Sequence, residues 1–353
     1  MDLKDKMSRF GITISREFTK EEVTNVAKNV TNKLTEAFPC LNSQYNEILV
    51  QLLNCRMYFA KINQSSNLST VNYMYENHSI IFEQNIDLKN VNDKIIHECL
   101  HFIQDVRTSH DRLNKIGLFK LNELSLNGLG INEASDQYIA SKANGNPVEI
   151  VNVYDIILKT ISPNYYPLIT NLIYQIMLLI GEDIVVEGTI CKNSKFEDVF
   201  LNTFEEKASV IKKKFDKIIL LNNEIIEKKR DIFVNEDKIN KIKEQIKEEY
   251  LETQSLIMTT YFSKMLNQIN RVDEVKSNVD KLQRYGYYMG IAKNSFNIEY
   301  EEFKQAMLPK FDEKLIEIYR KESRNTLLKI SNNRLIKFLK RIVGLYRERS
   351  YEK

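Results

Sequence analysis

Ile95-Ile96-His97-Glu98-Cys99-Leu100-His101-Phe102-Ile103-Gln104 is the stretch on which the reading of this chain turns. On a helix, residues four apart share a face, so His97 and His101 stand one above the other and can reach one metal ion. Glu98 lies about 100° around from His97, placed to touch a water at that metal rather than the metal itself. The residues behind the motif, Ile95, Ile96, Leu100, Phe102, Ile103 and Val106, are apolar and anchor the helix in a core. Cys99 is roughly 200° from His97, which assigns it to that core and not to the ligands. The chain has four histidines, and two of them fall on this one turn.

A catalytic zinc site takes three protein ligands and leaves a further position open. His110 is one candidate, but a third histidine at the spacing of the metzincins requires Gly at position 104 and His at 107. The chain has Gln104 and Arg107 there. A carboxylate on a following helix is the remaining choice. Glu133 lies in Gly130-Ile131-Asn132-Glu133-Ala134-Ser135-Asp136-Gln137-Tyr138-Ile139-Ala140, where Ala134, Ser135, Ala140 and Ser141 allow a close approach to the motif helix. Glu123 is its rival, in a Gly- and Asn-rich loop, and Glu187 is a more distant acid.

From Thr19 to Gly145 the chain resembles the gluzincin metallopeptidases, on His97, Glu98, His101 and the pair Asn132-Glu133. The resemblance implies Zn²⁺ held by His97, His101 and Glu133, and hydrolysis of a protein or peptide substrate with Glu98 as general base. Thermolysin-like members place an aspartate four residues after the glutamate ligand. Here Gln137 is at that position, Asp136 is one residue earlier, and Asp105 is the other acid able to support a histidine. Ser79–Ile86 resembles the strand at the sheet edge that aligns substrate in that family. An oxyanion stabiliser is expected among Tyr138, Tyr154, Tyr165, His78 and His110.

Around this core the chain reads as α+β and mainly helical. A small mixed sheet packs on the motif helix, and long helices follow. Thr19-Lys20-Glu21-Glu22 has the form of a capping box opening a helix to Phe38. A second helix is expected over 41–55, strands over 56–62, 71–76 and 79–86, and the motif helix over 91–106. A loop holding Gly117, Gly128 and Gly130 comes next, then a helix over 132–143. The charge-free run Thr160–Gly181 is broken by Pro163 and Pro167, so Leu168–Ile180 is predicted as a buried core helix rather than a membrane span.

The later part differs in charge: residues 1–190 carry 17 basic and 22 acidic groups, residues 191–353 carry 34 and 26. No Gly or Pro occurs from Thr189 to Tyr285, which excludes a turn-rich β-sandwich there. Ile211, Ile218, Ile225, Ile232, Ile239 and Ile246 recur every seventh residue, and a helical hairpin turning near Val234–Asp237 is predicted. The basic run Arg324–Arg349 reads as a packed helix with a solvated face, or as the seat of an acidic partner. We therefore expect a zincin-like domain over 1–195 and a helical accessory domain over 196–353.

In 353 residues, 51 Lys and Arg against 48 Asp and Glu leave +3, too balanced to argue for nucleic acid as partner. There is no phosphate-binding Gly loop and no nucleophilic Ser elbow. The N-terminus has no apolar signal region and the four cysteines form no CxxC, so a reducing, cytoplasmic location is expected. The competing reading is a non-catalytic interaction protein with a structural or vestigial metal site.

Overall fold

Thr19 opens the first long helix with the expected reciprocal cap. Its hydroxyl accepts from Glu22 N at 3.2 Å, and the Glu22 carboxylate accepts from Thr19 N at 2.8 Å. Two orphan donors of the first turn are thereby satisfied. Helix α1 (Lys20–Ala37) buries Val26, Val30 and Leu34, and leads through a 3₁₀ turn at Pro39–Gln44 into α2 (Tyr45–Leu53). The computed structural model describes residues 7–63, 68–110, 113–122, 125–230, 235–289 and 295–325.

Four strands form a mixed sheet in the order β1 (Ile12–Glu17), β2 (Arg56–Ile62), β4 (Ser79–Glu83), β3 (Val71–Met74). Strands β2 and β4 run parallel, with Tyr58 opposite Ile81, and the other pairs are antiparallel. The sheet is covered on both faces. Tyr58, Ala60, Met74 and Ile81 cluster with Met7 and Ile12, while Phe59 and Phe82, on the opposite side of the pleat, pack on Phe18. The strand that the resemblance puts at the edge, β4, is interior; β3 is the edge strand beside the motif helix.

Helix α3 (Asp93–Gln104) lies against β3 and β4. Ile95, Ile96, Leu100 and Ile103 are buried, each worth about 1.5–3 kcal/mol relative to exposure. The segment expected to be a loop is instead an antiparallel meander of β5 (Asp105–Arg107), β6 (Leu113–Ile116), β7 (Phe119–Asn122) and β8 (Ser125–Asn127). Strands of three or four residues are too short to register a two-residue period. Helix α4 (Leu129–Ala143) follows, three residues earlier than predicted, and then the hairpin β9 (Glu149–Val153) and β10 (Ile156–Thr160).

Helix α5 (Pro167–Ile180) is the expected core helix, with Leu168, Leu172, Ile173 and Ile176 buried. No single helix among the described residues is long and apolar enough to cross a membrane. Helices α6 (Glu182–Ile190), α7 (Lys195–Phe204), α8 (Lys207–Lys228) and α9 (Glu236–Gln268) continue the chain. Of the isoleucine heptad, Ile211, Ile218, Ile225, Ile239 and Ile246 are buried, and Ile232 lies outside the described residues. Lys214 and Lys217 on α8 both pair with Glu249 on α9, the former at 2.9 Å, which fits a helical hairpin. Of its expected turn, Val234 lies outside the described residues.

The fold is thus mainly helical α+β, and the chain forms two compact units, Met1–Ile257 and Met258–Lys353. The first runs past the boundary read at 195, because α8 packs directly on α4. In the second, α10 (Val272–Met289) and α11 (Ser295–Asn325) pack together, the Tyr300 hydroxyl donating to Leu282 O at 2.6 Å. The basic run at the C-terminus falls outside the described residues from 326 onward.

Candidate metal centre

Helix α3 starts on Asn92, whose side-chain oxygen accepts from Ile95 N at 3.1 Å. That cap and the apolar face fix the helix so that both motif histidines project together toward α4. His97 Nε2 lies 3.3 Å from Glu133 Oε2, and His101 Nε2 lies 3.5 Å from Glu133 Oε1. One donor atom from each of the three residues falls within 4.8 Å of the others. Donors placed about 2.0–2.2 Å from a tetrahedral zinc stand about 3.3–3.6 Å apart. Two imidazoles and one carboxylate at these separations suit that ion in both chemistry and spacing.

Burial tells the same story from the protein side. His97 and His101 are 5 % and 4 % exposed, and His97 Nδ1 has no hydrogen-bond partner among the described residues. Burial works against a charged His101, yet Glu133 and Asp136 raise it to about 10. Burial opposes a charged His97 as well, but Glu133 and Glu98 together raise it. Burial alone would lift Glu133, but His101 and His97 hold it below the usual carboxylate value. The carboxylates thus favour positive charge at the two imidazoles.

Support comes from Asp136, fully buried, whose Oδ2 lies 3.2 Å from His101 Nδ1. Asn132 Nδ2 donates to Asp136 Oδ2 at 2.7 Å, and Gln104 Nε2 donates to Asp136 Oδ1. Asn132 Oδ1 in turn accepts from Leu118 N at 2.8 Å. Gly117, at φ +48°, lets that turn close down: a Cβ there would lie 2.3 Å from Asn132 Oδ1. Of the two acids left open for supporting a histidine, Asp136 is the one beside His101. Asp105 belongs to another network, accepting from the Tyr73 hydroxyl and from Arg107 Nη2 at 2.9 Å, with His78 Nδ1 at 3.3 Å.

Glu98, next to His97 in the chain, is half-buried. Its Oε2 accepts from Tyr73 N on β3 at 2.7 Å. Burial raises its pKa, against the opposing pull of His97 and His101, so it is a better proton acceptor than an exposed carboxylate.

The other candidates among the described residues are elsewhere. Glu123 lies outside the described residues. Glu187 pairs with Lys195 at 2.6 Å, and exposed His110 contacts Ser109. Cys99 is fully buried, as expected. Tyr138 donates to Glu182, Tyr154 to Asn222, and the Tyr165 ring faces Lys94.

Two tyrosines that the sequence did not single out do border the cluster. The Tyr75 ring is 6.0 Å from His101, and burial with the charges of Glu133 and Glu98 pushes its phenol up. Tyr166 is raised by burial and by the same two carboxylates. It holds φ 48° and ψ 43° before Pro167, a left-handed backbone that costs of order 1–3 kcal/mol for a bulky residue. A 670 Å³ cavity opens beside it, lined by Tyr154, Tyr165, Asn222 and Ile226 among others. No protein-family model, no curated protein and no solved structure matches this chain.

Proposed function

We propose that this protein is a zinc-dependent peptidase that hydrolyses peptide bonds of a protein or peptide substrate. The observation that carries the reading is the convergence of His97, His101 and Glu133 next to a half-buried Glu98. His97, His101 and Glu133 would hold the ion, with Asp136 orienting His101. Zinc, when bound, supplies a Lewis acid that polarises a carbonyl and acidifies a water.

The remaining work falls to the chain. Glu98 keeps Oε2 on the Tyr73 amide and has Oε1 free to take the proton of the attacking water, then to return it to the leaving amine. Tyr166 and Tyr75, both held protonated, are donors for the oxygen that gains charge. The cavity beside Tyr166 gives a substrate side chain room.

The test is metal analysis of the purified chain together with cleavage of a library of unfolded peptides. One zinc per chain is expected, abolished in His97→Ala. Glu98→Gln should retain zinc while turnover falls by about 10²–10⁴-fold. A chain that binds zinc yet cleaves nothing supports the non-catalytic alternative, and one that binds no zinc removes the basis of both.

A further inference from the structure

Helix α4 carries Glu133 but lacks the means to hold its own start. Its N-cap is Gly128, at φ 95°, which offers no side-chain acceptor, and its first turn contains no acidic residue. The missing acceptors come from α8. Asp216, 6 % exposed, accepts from Gly128 N at 3.0 Å through Oδ2 and from Gly130 N at 2.7 Å through Oδ1. A carboxylate is suited to this place, because it satisfies two orphan donors at once and opposes the positive end of the helix dipole. The approach is closed by Gly130: a Cβ there would lie 2.3 Å from the Phe215 carbonyl carbon and 2.7 Å from Asp216 N.

We propose that Asp216 is a positioning residue of the metal centre, pinning the first turn of α4 so that Glu133 meets His97 and His101; this rests on the zinc reading above. Glu133 lies one turn past Gly130, and its own amide belongs on the carbonyl of Leu129 inside that first turn. A slip of one residue moves a helical side chain by about 1.5 Å and 100°. Metal bonds tolerate only about 0.2 Å. Loosening the first turn therefore degrades the ligand geometry even when the fold survives. Helix α8, which the sequence assigned to an accessory domain, becomes part of the site.

The experiment uses the full chain with Asp216→Ala, Asp216→Asn and Ile225→Ala. Ile225 is a buried residue of α8 about 13 Å further along the helix, so its loss lowers stability without touching the α4 start. Zinc affinity is measured by chelator competition, the visible spectrum is recorded on the cobalt-substituted chain, and amide hydrogen exchange is followed at Gly128 and Gly130. Asp216→Ala should weaken zinc about tenfold, the lower end of the range for residues that act through a ligand. It should also alter the cobalt spectrum and speed exchange at both glycines. Asp216→Asn, which keeps one acceptor and the side-chain volume, should fall between, and serves where the alanine variant does not fold.

Unchanged zinc affinity and cobalt spectrum in both Asp216 variants would overturn the proposal. So would an equal loss of affinity in Ile225→Ala, since general destabilisation would then explain it. If the wild-type chain takes up no zinc, the metal reading fails and this proposal fails with it. Accelerated exchange without any loss of zinc overturns the proposal alone.

Discussion

Helix α3 begins under a cap of its own, Asn92 three residues ahead of the amide it holds, whereas α4 takes its acceptors from Asp216, 86 and 88 residues further along the chain. The two helices also differ in how they face their surroundings. In α3 the buried residues are mostly apolar, with His97, His101 and Gln104 among them, and Lys94 in its first turn is exposed. In α4 burial goes nearly all the way round, taking in Asn132, Ser135, Asp136, Gln137 and Ser141. A helix whose first turn reaches solvent can supply its own cap. A helix enclosed on every side has its place dictated by its neighbours, and its polar residues must be satisfied by them.

Four measurements break or sharpen that contrast. The largest effect is expected from Glu133→Ala, the one proposed ligand on the enclosed helix. It should weaken zinc by more than about 100-fold, beyond what is usual for residues that merely orient a ligand. Isothermal titration against zinc reads it directly, and an unchanged affinity would return the third position to another acid. Gly130→Ala comes second, because the added methyl meets Phe215 backbone that has no soft way to yield. A loss of about 2–3 kcal/mol in denaturant unfolding is expected, with zinc affinity falling alongside it.

Asn92→Ala, on the self-capped helix, should cost about 1 kcal/mol of stability. Its metal affinity should stay near wild type, since the apolar face of α3 still fixes the histidines. A drop in zinc binding as large as that of Gly130→Ala would erase the distinction between the helices. The smallest effect belongs to Glu22, another self-made cap. The Arg16 side-chain hydrogen bond holds its carboxylate down at about 2. A depressed pKa contributes stability above the unfolded value of 4.5 and loses it as pH falls through about 2. The melting difference between wild type and Glu22→Gln should therefore be full at neutral pH and vanish near pH 2. It will be slight, because the pair is solvent-exposed.

How much of this was legible in the sequence follows from the same contrast. The capping box at Thr19, the strands at 56–62 and 79–83, the motif helix and the core helix at 167–180 each announce themselves within a dozen residues. Local pattern suffices there. Glu133 could be preferred over its rivals by the small residues around it, and the structure brings it to both histidines. The meander β5–β8 was missed because its strands are too short to show alternation. Asp136 and Asp105 could not be separated, since the choice depends on the turn at Gly117 and on where Gln104 points. Asp216, Tyr75 and Tyr166 left no signal: what brings them to the site is a tertiary packing that no window of sequence contains.

The hydrogen bond from Tyr73 N to Glu98 has a further side, which concerns solubility. A strand at the edge of a sheet offers unpaired backbone groups to any other chain that comes past, and so invites aggregation. On β3 and just beyond it, the Tyr73 amide is engaged by Glu98 and the Tyr75 carbonyl accepts from Arg107 Nη2 at 2.6 Å. Side chains of the motif helix and of β5 thereby blunt the edge. A glutamine at position 98 still accepts from Tyr73 and keeps that protection. An alanine opens the edge, so self-association of Glu98→Ala would be a property of the sheet, separate from any effect on the proposed hydrolysis.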